Sequence, residues 1–276
     1  MIDYNFGLIP FTCRLYSFLA AHNQIIQISS AVADDFGIWF RRIDLKESAL
    51  IPAIWDAVVP SRLCTLVANA ADVSVSTIEH VMAALAGCAI HNALIEIDGP
   101  EVPILDGSAA PFVSGFLDAG IVAQGAPVRA IRVLKAIEVR EGEAVARLEP
   151  SDMLEIAFQI DFAEAAIGRQ TKRLNLANGA FVRELSDSRT FCRQVDVDAM
   201  RANGLALGGT LENAVVFDHP VVCFAHERLH DGRGDCRVVV RRQGVTDIVN
   251  EGTRDVLIFF STAQSTRCGL QRVLKT

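Results

Sequence analysis

No stretch of this 276-residue chain approaches the roughly 20 consecutive apolar residues needed to cross a bilayer as a helix. The longest apolar runs, such as Val81 to Ala86, are far shorter, although 51% of the residues are hydrophobic. No membrane span is expected. Nor is a secretory signal, because Asp3 precedes any basic residue and no small-residue cleavage site follows a clean apolar core within Met1 to Leu19. An excess of basic charge is also missing: 26 Lys and Arg stand against 33 Asp and Glu, for a formal net charge of −7. A broad phosphate-binding surface needs the opposite balance, so nucleic acid is not an expected partner. The seven cysteines, Cys13, Cys64, Cys88, Cys192, Cys223, Cys236 and Cys268, are odd in number and include no Cys-x-x-Cys pair. That pattern fits free thiols in a reducing cytoplasm better than a disulfide framework or a zinc ribbon. There is no short-period repeat and no low-complexity tract.

What is present suits one large domain or two modest ones. Phe36 to Arg42 and Asn92 to Asp98 show the partial period-two alternation of half-buried strands. Between them a helix is expected, opening on a Ser-x-x-Glu capping box, Ser76 to Glu79, with Ile78, Met82 and Leu85 on one face and Gly87 as a left-handed end. A second helix is expected from about Ala109 to Ala119, between Ser108 and Gly120, and Gly125-Ala126-Pro127 reads as a boundary. Strands are then expected over Arg129 to Val139, Ala144 to Leu148, Leu154 to Phe162 and Ala214 to Phe217, with helices around Asn178 to Leu185 and Asp196 to Asn203. The pattern predicts an α+β chain in two domains, 1–126 and 127–276, each a sheet covered by helices on one face. The fold of 219–276 is left open.

Glu79 and His80 are the leading candidates for chemistry. A neutral imidazole is a good zinc ligand, and a neighbouring carboxylate can accept a proton from an attacking water. Taken alone, the dipeptide is better explained by a capping glutamate and a surface histidine near a helix end.

Further phrases change that balance. The segment Ile97-Asp98-Gly99-Pro100-Glu101-Val102-Pro103-Ile104-Leu105-Asp106-Gly107-Ser108-Ala109-Ala110-Pro111-Phe112 is dense in residues with special backbone needs. To it are added Phe40-Arg41-Arg42-Ile43-Asp44-Leu45, Leu63-Cys64-Thr65, Ser76-Thr77-Ile78-Glu79-His80, Ile160-Asp161-Phe162, Ser188-Arg189-Thr190-Phe191 and Gly204 to Ala214. In this order and spacing, over roughly residues 31–218, the chain resembles the zinc-dependent UDP-3-O-acyl-N-acetylglucosamine deacetylases of lipid A biosynthesis. The resemblance implies two similar α+β domains with their helices sandwiched between the sheets and the active site between the domains. It also implies a cytoplasmic enzyme that uses Zn2+ and removes the N-acetyl group from a small-molecule partner, an acylated UDP-N-acetylglucosamine. Carried over residue by residue, Glu79 resembles the general base, His80 one of three zinc ligands, and Thr190 the donor to the tetrahedral oxyanion. Phe191 resembles an aromatic beside the substrate, and Cys64 a cysteine lining the same site. Without that context, Thr190 could bond local backbone, Phe191 could be core and Cys64 an inert thiol.

The resemblance fades after Asp218. The family's His-Lys-x-x-Asp pattern, which carries the other two zinc ligands, and its later acid histidine have no counterpart there. Residues 219–276 instead hold nine of the 26 basic residues. His226 and His230 are spaced like a helical metal pair, near Asp231 and Asp235, but Gly232 and Gly234 disfavour a helix. The N-terminal end departs too, reading Arg14 to His22 where the family has an early Gly- and His-containing loop, and His22 is not assigned to it. The sequence therefore leaves two function classes open: the deacetylase, and a catalytically inactive scaffold, truncated or frameshifted, without two zinc ligands.

Overall fold

The computed structural model describes residues 12–19, 22–29, 37–47, 49–61, 64–121, 133–163, 167–206, 208–211, 213–218, 221–223, 246–250 and 255–259. In chain order the first strands are Thr12–Leu19 (β1), His22–Ser29 (β2), Ile38–Arg42 (β3), Ala49–Pro52 (β4), Val58–Val59 (β5), Leu66–Ala68 (β6) and Ser74–Val75 (β7). Helix Glu79–Gly87 (α1), strand Ala93–Ile97 (β8) and helix Ala110–Ala119 (α2) follow. One sheet runs β1-β2-β8-β3-β4, with β3 parallel to β8 and its other neighbours antiparallel, and β5-β6-β7 form a smaller antiparallel sheet.

Alternation dictates how the larger sheet packs. Along β3 and β8 every second residue is buried, so Ile38 and Phe40 share one face with Ala93, Ile95 and Ile97. That face meets Val81, Met82 and Leu85 of α1 and Phe112, Val113 and Phe116 of α2 in one core. Each such side chain contributes about 1.5–3 kcal/mol on burial. A nine-residue helix such as α1 is marginal alone, and this contact is what holds it.

The second part of the chain comprises Ile137–Glu141 (β9), Ala144–Leu148 (β10), Glu155–Asp161 (β11), Arg169–Asn175 (β12), Ala180–Glu184 (α3), Phe191–Arg193 (β13), Gln194–Ala202 (α4), Val215–Asp218 (β14) and Val221–Cys223 (β15). Here β9-β10 and β11-β12 are antiparallel pairs, while β13 runs parallel to β14, which pairs with β15. Thr246–Asn250 (β16) and Asp255–Phe259 (β17) form a further pair. The architecture is α+β.

Two local expectations are overturned. The capping box does not form: α1 starts at Glu79, its cap Ile78 already has helical backbone angles, and no side chain caps it. Ser76 is occupied elsewhere. Its N–H and hydroxyl both donate to Pro100 O, and its carbonyl accepts from the Val102 N–H. Gly87 is not a left-handed end either, because it lies inside α1 and Ala89 takes the positive φ of 56°. What requires glycine at 87 is packing: a Cβ there would lie 1.9 Å from Cδ1 of the buried Phe181.

At α2 the reading from Ser108 and Gly120 holds. The Ser108 hydroxyl accepts from the N–H of Ala110, and Gly120 closes the helix at φ 86°. Strand β12 escaped sequence reading, since Arg169, Gln170, Thr171, Lys172 and Arg173 carry no apolar alternation; its register with β11 places it. The boundary at Gly125-Ala126-Pro127 and the group His226, His230, Asp231 and Asp235 lie outside the described residues, as does the side chain of His22.

Candidate active site

Glu79 and His80 open α1 behind a strained link. Thr77 is β-branched, buried and held at φ 57°, where a non-glycine residue costs about 1–3 kcal/mol, and its hydroxyl donates to Glu101 Oε1 at 2.6 Å. Strain of this kind persists only where neighbours over-determine it. Here Ser76 is bridged to Glu101, fixing the direction in which the chain enters α1.

The Glu79 carboxylate is anchored. Its Oε2 accepts the N–H of Thr65 at 2.9 Å, while the Ile78 N–H returns to the Thr65 carbonyl at 3.4 Å. This reciprocal pair brings the 64–65 segment to the head of α1. Cys64 is therefore next to the Glu79 anchor, with its sulfur 3.3 Å from the Ser61 hydroxyl. Cys64, Cys88 and Cys192 are free thiols.

His80 is buried, only 3% exposed. Burial pushes its pKa down to about 4, opposed by the charge of the Asp106 carboxylate. The imidazole is therefore neutral at physiological pH, the form that can bind a metal ion. Asp106 is itself oriented, since its Oδ1 accepts the N–H of Ser108 at 2.9 Å and the Ser108 hydroxyl at 2.8 Å. Nothing in the sequence around Asp106 marks it as a group whose charge acts on His80. No local pattern carries that information, because 26 residues separate the two positions.

Gly107 joins this group to the second part of the chain. Its carbonyl accepts the N–H of Thr190 at 2.8 Å, and the Ser186 carbonyl accepts the N–H of Ala109 at 3.0 Å. Gly107 has φ 81°, and a Cβ there would sit 1.9 Å from the Asn213 carbonyl oxygen. Only glycine permits that approach. Asn213 in turn orders its own loop: its Oδ1 accepts from the Thr210 N–H and its Nδ2 donates to Gly208 O. Sequence reading placed these residues in a motif without seeing what they touch.

Phe191 follows Thr190 into β13. Its ring meets Phe162 and Phe217 edge to face, with centroids 5.6 and 5.8 Å away. It is half-buried on a small core of Ile160, Ile167 and Phe217.

Among the described residues no three His, Cys, Asp or Glu side chains converge on a metal position. His80 has the right protonation state for one donor, but a catalytic zinc normally has three protein ligands. The donors described here do not by themselves make a metal site.

These segments lie within the span over which the chain matches known proteins. The family model for UDP-3-O-acyl N-acetylglycosamine deacetylase matches residues 17–231. The UDP-3-O-acyl-N-acetylglucosamine deacetylase of Phenylobacterium zucineum is 48% identical over 190 residues, covering 67% of this chain and 64% of that protein. Its counterpart in Shewanella frigidimarina is 44% identical over 184 residues, covering 66% and 60%, and that of an Anaeromyxobacter species is 47% identical over 184 residues, covering 67% and 60%. The chain spans about 60% of the length of the curated relatives it matches. With the 64–65 segment, the head of α1, the 106–109 loop and the Thr190 strand all inside the matched region, the chain belongs to the UDP-3-O-acyl N-acetylglycosamine deacetylase family.

Proposed function

We propose that the chain hydrolyses the N-acetyl group of a UDP-3-O-acyl-N-acetylglucosamine, a step of lipid A biosynthesis, in the cytoplasm. The observation that carries this reading is the adjacency of two groups along one loop, since the charge of the Asp106 carboxylate acts on His80 and the Gly107 carbonyl holds the Thr190 N–H.

In this reading Glu79 accepts the proton of the attacking water and the Thr190 hydroxyl donates to the oxyanion as the acetyl carbonyl becomes tetrahedral. The C–N bond then breaks, the nitrogen takes a proton, and acetate leaves the glucosamine. Phe191 and Cys64 contact the substrate. General-base catalysis contributes about 10²–10⁴-fold, and one oxyanion donor about 10²–10³-fold. Zinc, when bound, would lower the pKa of its water to about 7, and His80 would be one of its donors. Two more ligands would have to come from other residues.

We also propose the division into domains 1–126 and 127–276. It is supported by the second part's own small core of Ile160, Ile167 and Phe217, while Phe181 and Leu185 pack across into the core around α1 and α2. No helix among the described residues is long and apolar enough to cross a membrane.

The test is elemental analysis of the purified chain beside its His80→Ala variant. One zinc per chain, lost in the variant, supports the reading; no zinc in the intact chain overturns it in favour of an inactive scaffold.

A further inference from the structure

Arg189 is the residue at the Gly107 junction to which the deacetylase reading gives no task. Its Nε donates to the carbonyl of Asp106 at 2.8 Å, and its Nη2 reaches the carbonyl of Leu211 at 3.4 Å. The two acceptors belong to different loops. One lies just before α2, and the other is in the 208–213 loop that Asn213 orders. Between these loops runs the contact at which the Asn213 carbonyl occupies the place of a Gly107 side chain. The next residue, Thr190, is bonded on both sides, its N–H to Gly107 O at 2.8 Å and its carbonyl from the Val215 N–H at 2.9 Å.

We propose that Arg189 is a positioning residue for Thr190: its guanidinium clamps the Asp106 and Leu211 carbonyls together and so fixes the Thr190 backbone against Gly107. The planar fork of a guanidinium suits this task, because separate N–H groups leave it in fixed directions and can serve two carbonyls at once. A lysine ammonium is a compact point charge without that fork. Arg189 is half-exposed, so replacing it removes donors from the clamp without opening a core cavity. Thr190 is where a small displacement would matter, since a misplacement of about 1 Å can cost a catalytic group on the order of 10²-fold.

The clamp itself is tested without turnover, and its catalytic consequence rests on the deacetylase reading. Amide exchange is followed in the full chain and in Arg189→Gln and Arg189→Lys. In Arg189→Gln, exchange at Thr190 and Ala109 should quicken by about tenfold or more while the β11–β12 ladder keeps its protection. Arg189→Lys should fall between. Unchanged protection at Thr190, or an equal loss across β11–β12, overturns the clamp.

Where the chain turns over, Arg189→Gln should lower kcat about tenfold with KM within about twofold. Thr190→Ala should then cost less in the Arg189→Gln background than in the intact chain. Strictly multiplicative effects would contradict the positioning role. A chain silent in turnover whose Thr190 amide still loosens in Arg189→Gln would count against the deacetylase reading alone.

Discussion

The backbone N–H of Thr190 donates to the carbonyl of Gly107 at 2.8 Å, one residue from the carboxylate whose charge acts on His80. The loop that holds Thr190 thus also carries the carboxylate whose charge acts on the buried His80, about 110 residues earlier in the chain. The functional consequences divide between the backbone that makes the junction and the side chains gathered on it.

Gly107→Ala meets two penalties together, a positive φ of 81° and a Cβ position 1.9 Å from a backbone oxygen. It should destabilise the chain by at least about 2 kcal/mol in denaturant unfolding. Gly208→Ala, with nothing within 4 Å of the added carbon, is the control and should stay within about 1 kcal/mol.

At Gly87 helix propensity and packing disagree. An alanine within α1 should gain about 1 kcal/mol by propensity, yet its Cβ would overlap the Phe181 ring. Overpacking of a buried ring costs about 1–3 kcal/mol, so Gly87→Ala should be net destabilising. Phe181→Ala alone should cost about 3–5 kcal/mol. In the double variant the alanine should regain its favourable sign, which thermal or urea unfolding of the cycle will show.

Glu79 has two separable tasks. Glu79→Gln keeps an oxygen for the Thr65 N–H and removes the base, so unfolding free energy should move by less than about 1 kcal/mol. Glu79→Ala also removes that acceptor and should lose about 1–3 kcal/mol of stability. Equal stability in the two variants would show that the Thr65 bond does not anchor the carboxylate.

Burial raises the Cys88 thiol from 9.0 to about 11. The folded pKa lies above the unfolded one, so this group's contribution to stability is fully present below about pH 9. It is lost as pH rises from there through about 11. Because the thiolate is the nucleophile, Cys88 should react with iodoacetamide at pH 8.5 far more slowly than a cysteine in the urea-unfolded chain, as peptide mass mapping will show.

How much of this was legible in the residues differs by element. Helix α2 could be read because Ser108 and Gly120 act within a few residues of themselves, and backbone chemistry at that range is written locally. Strand β12 could not, because it pairs β11 through backbone bonds while Leu174 alone among its side chains is apolar. The capping box at Ser76 had the correct residue types, but its hydroxyl and carboxylate were claimed by Pro100 and Thr65, partners 24 and 14 residues away. Glu79 and His80 stood out by chemistry. Asp106, Gly107 and Arg189 gained their meaning only when the fold set distant loops against each other, a competition that no window of sequence displays.

The most direct test of the central claim is acetate release from UDP-3-O-acyl-N-acetylglucosamine by the zinc-supplemented chain, measured beside Glu79→Gln under identical conditions. Turnover by the intact chain that falls by about 100-fold or more in Glu79→Gln is the predicted result. Release that is absent from the intact chain, or that survives in Glu79→Gln, would contradict the assignment of deacetylation to the head of α1.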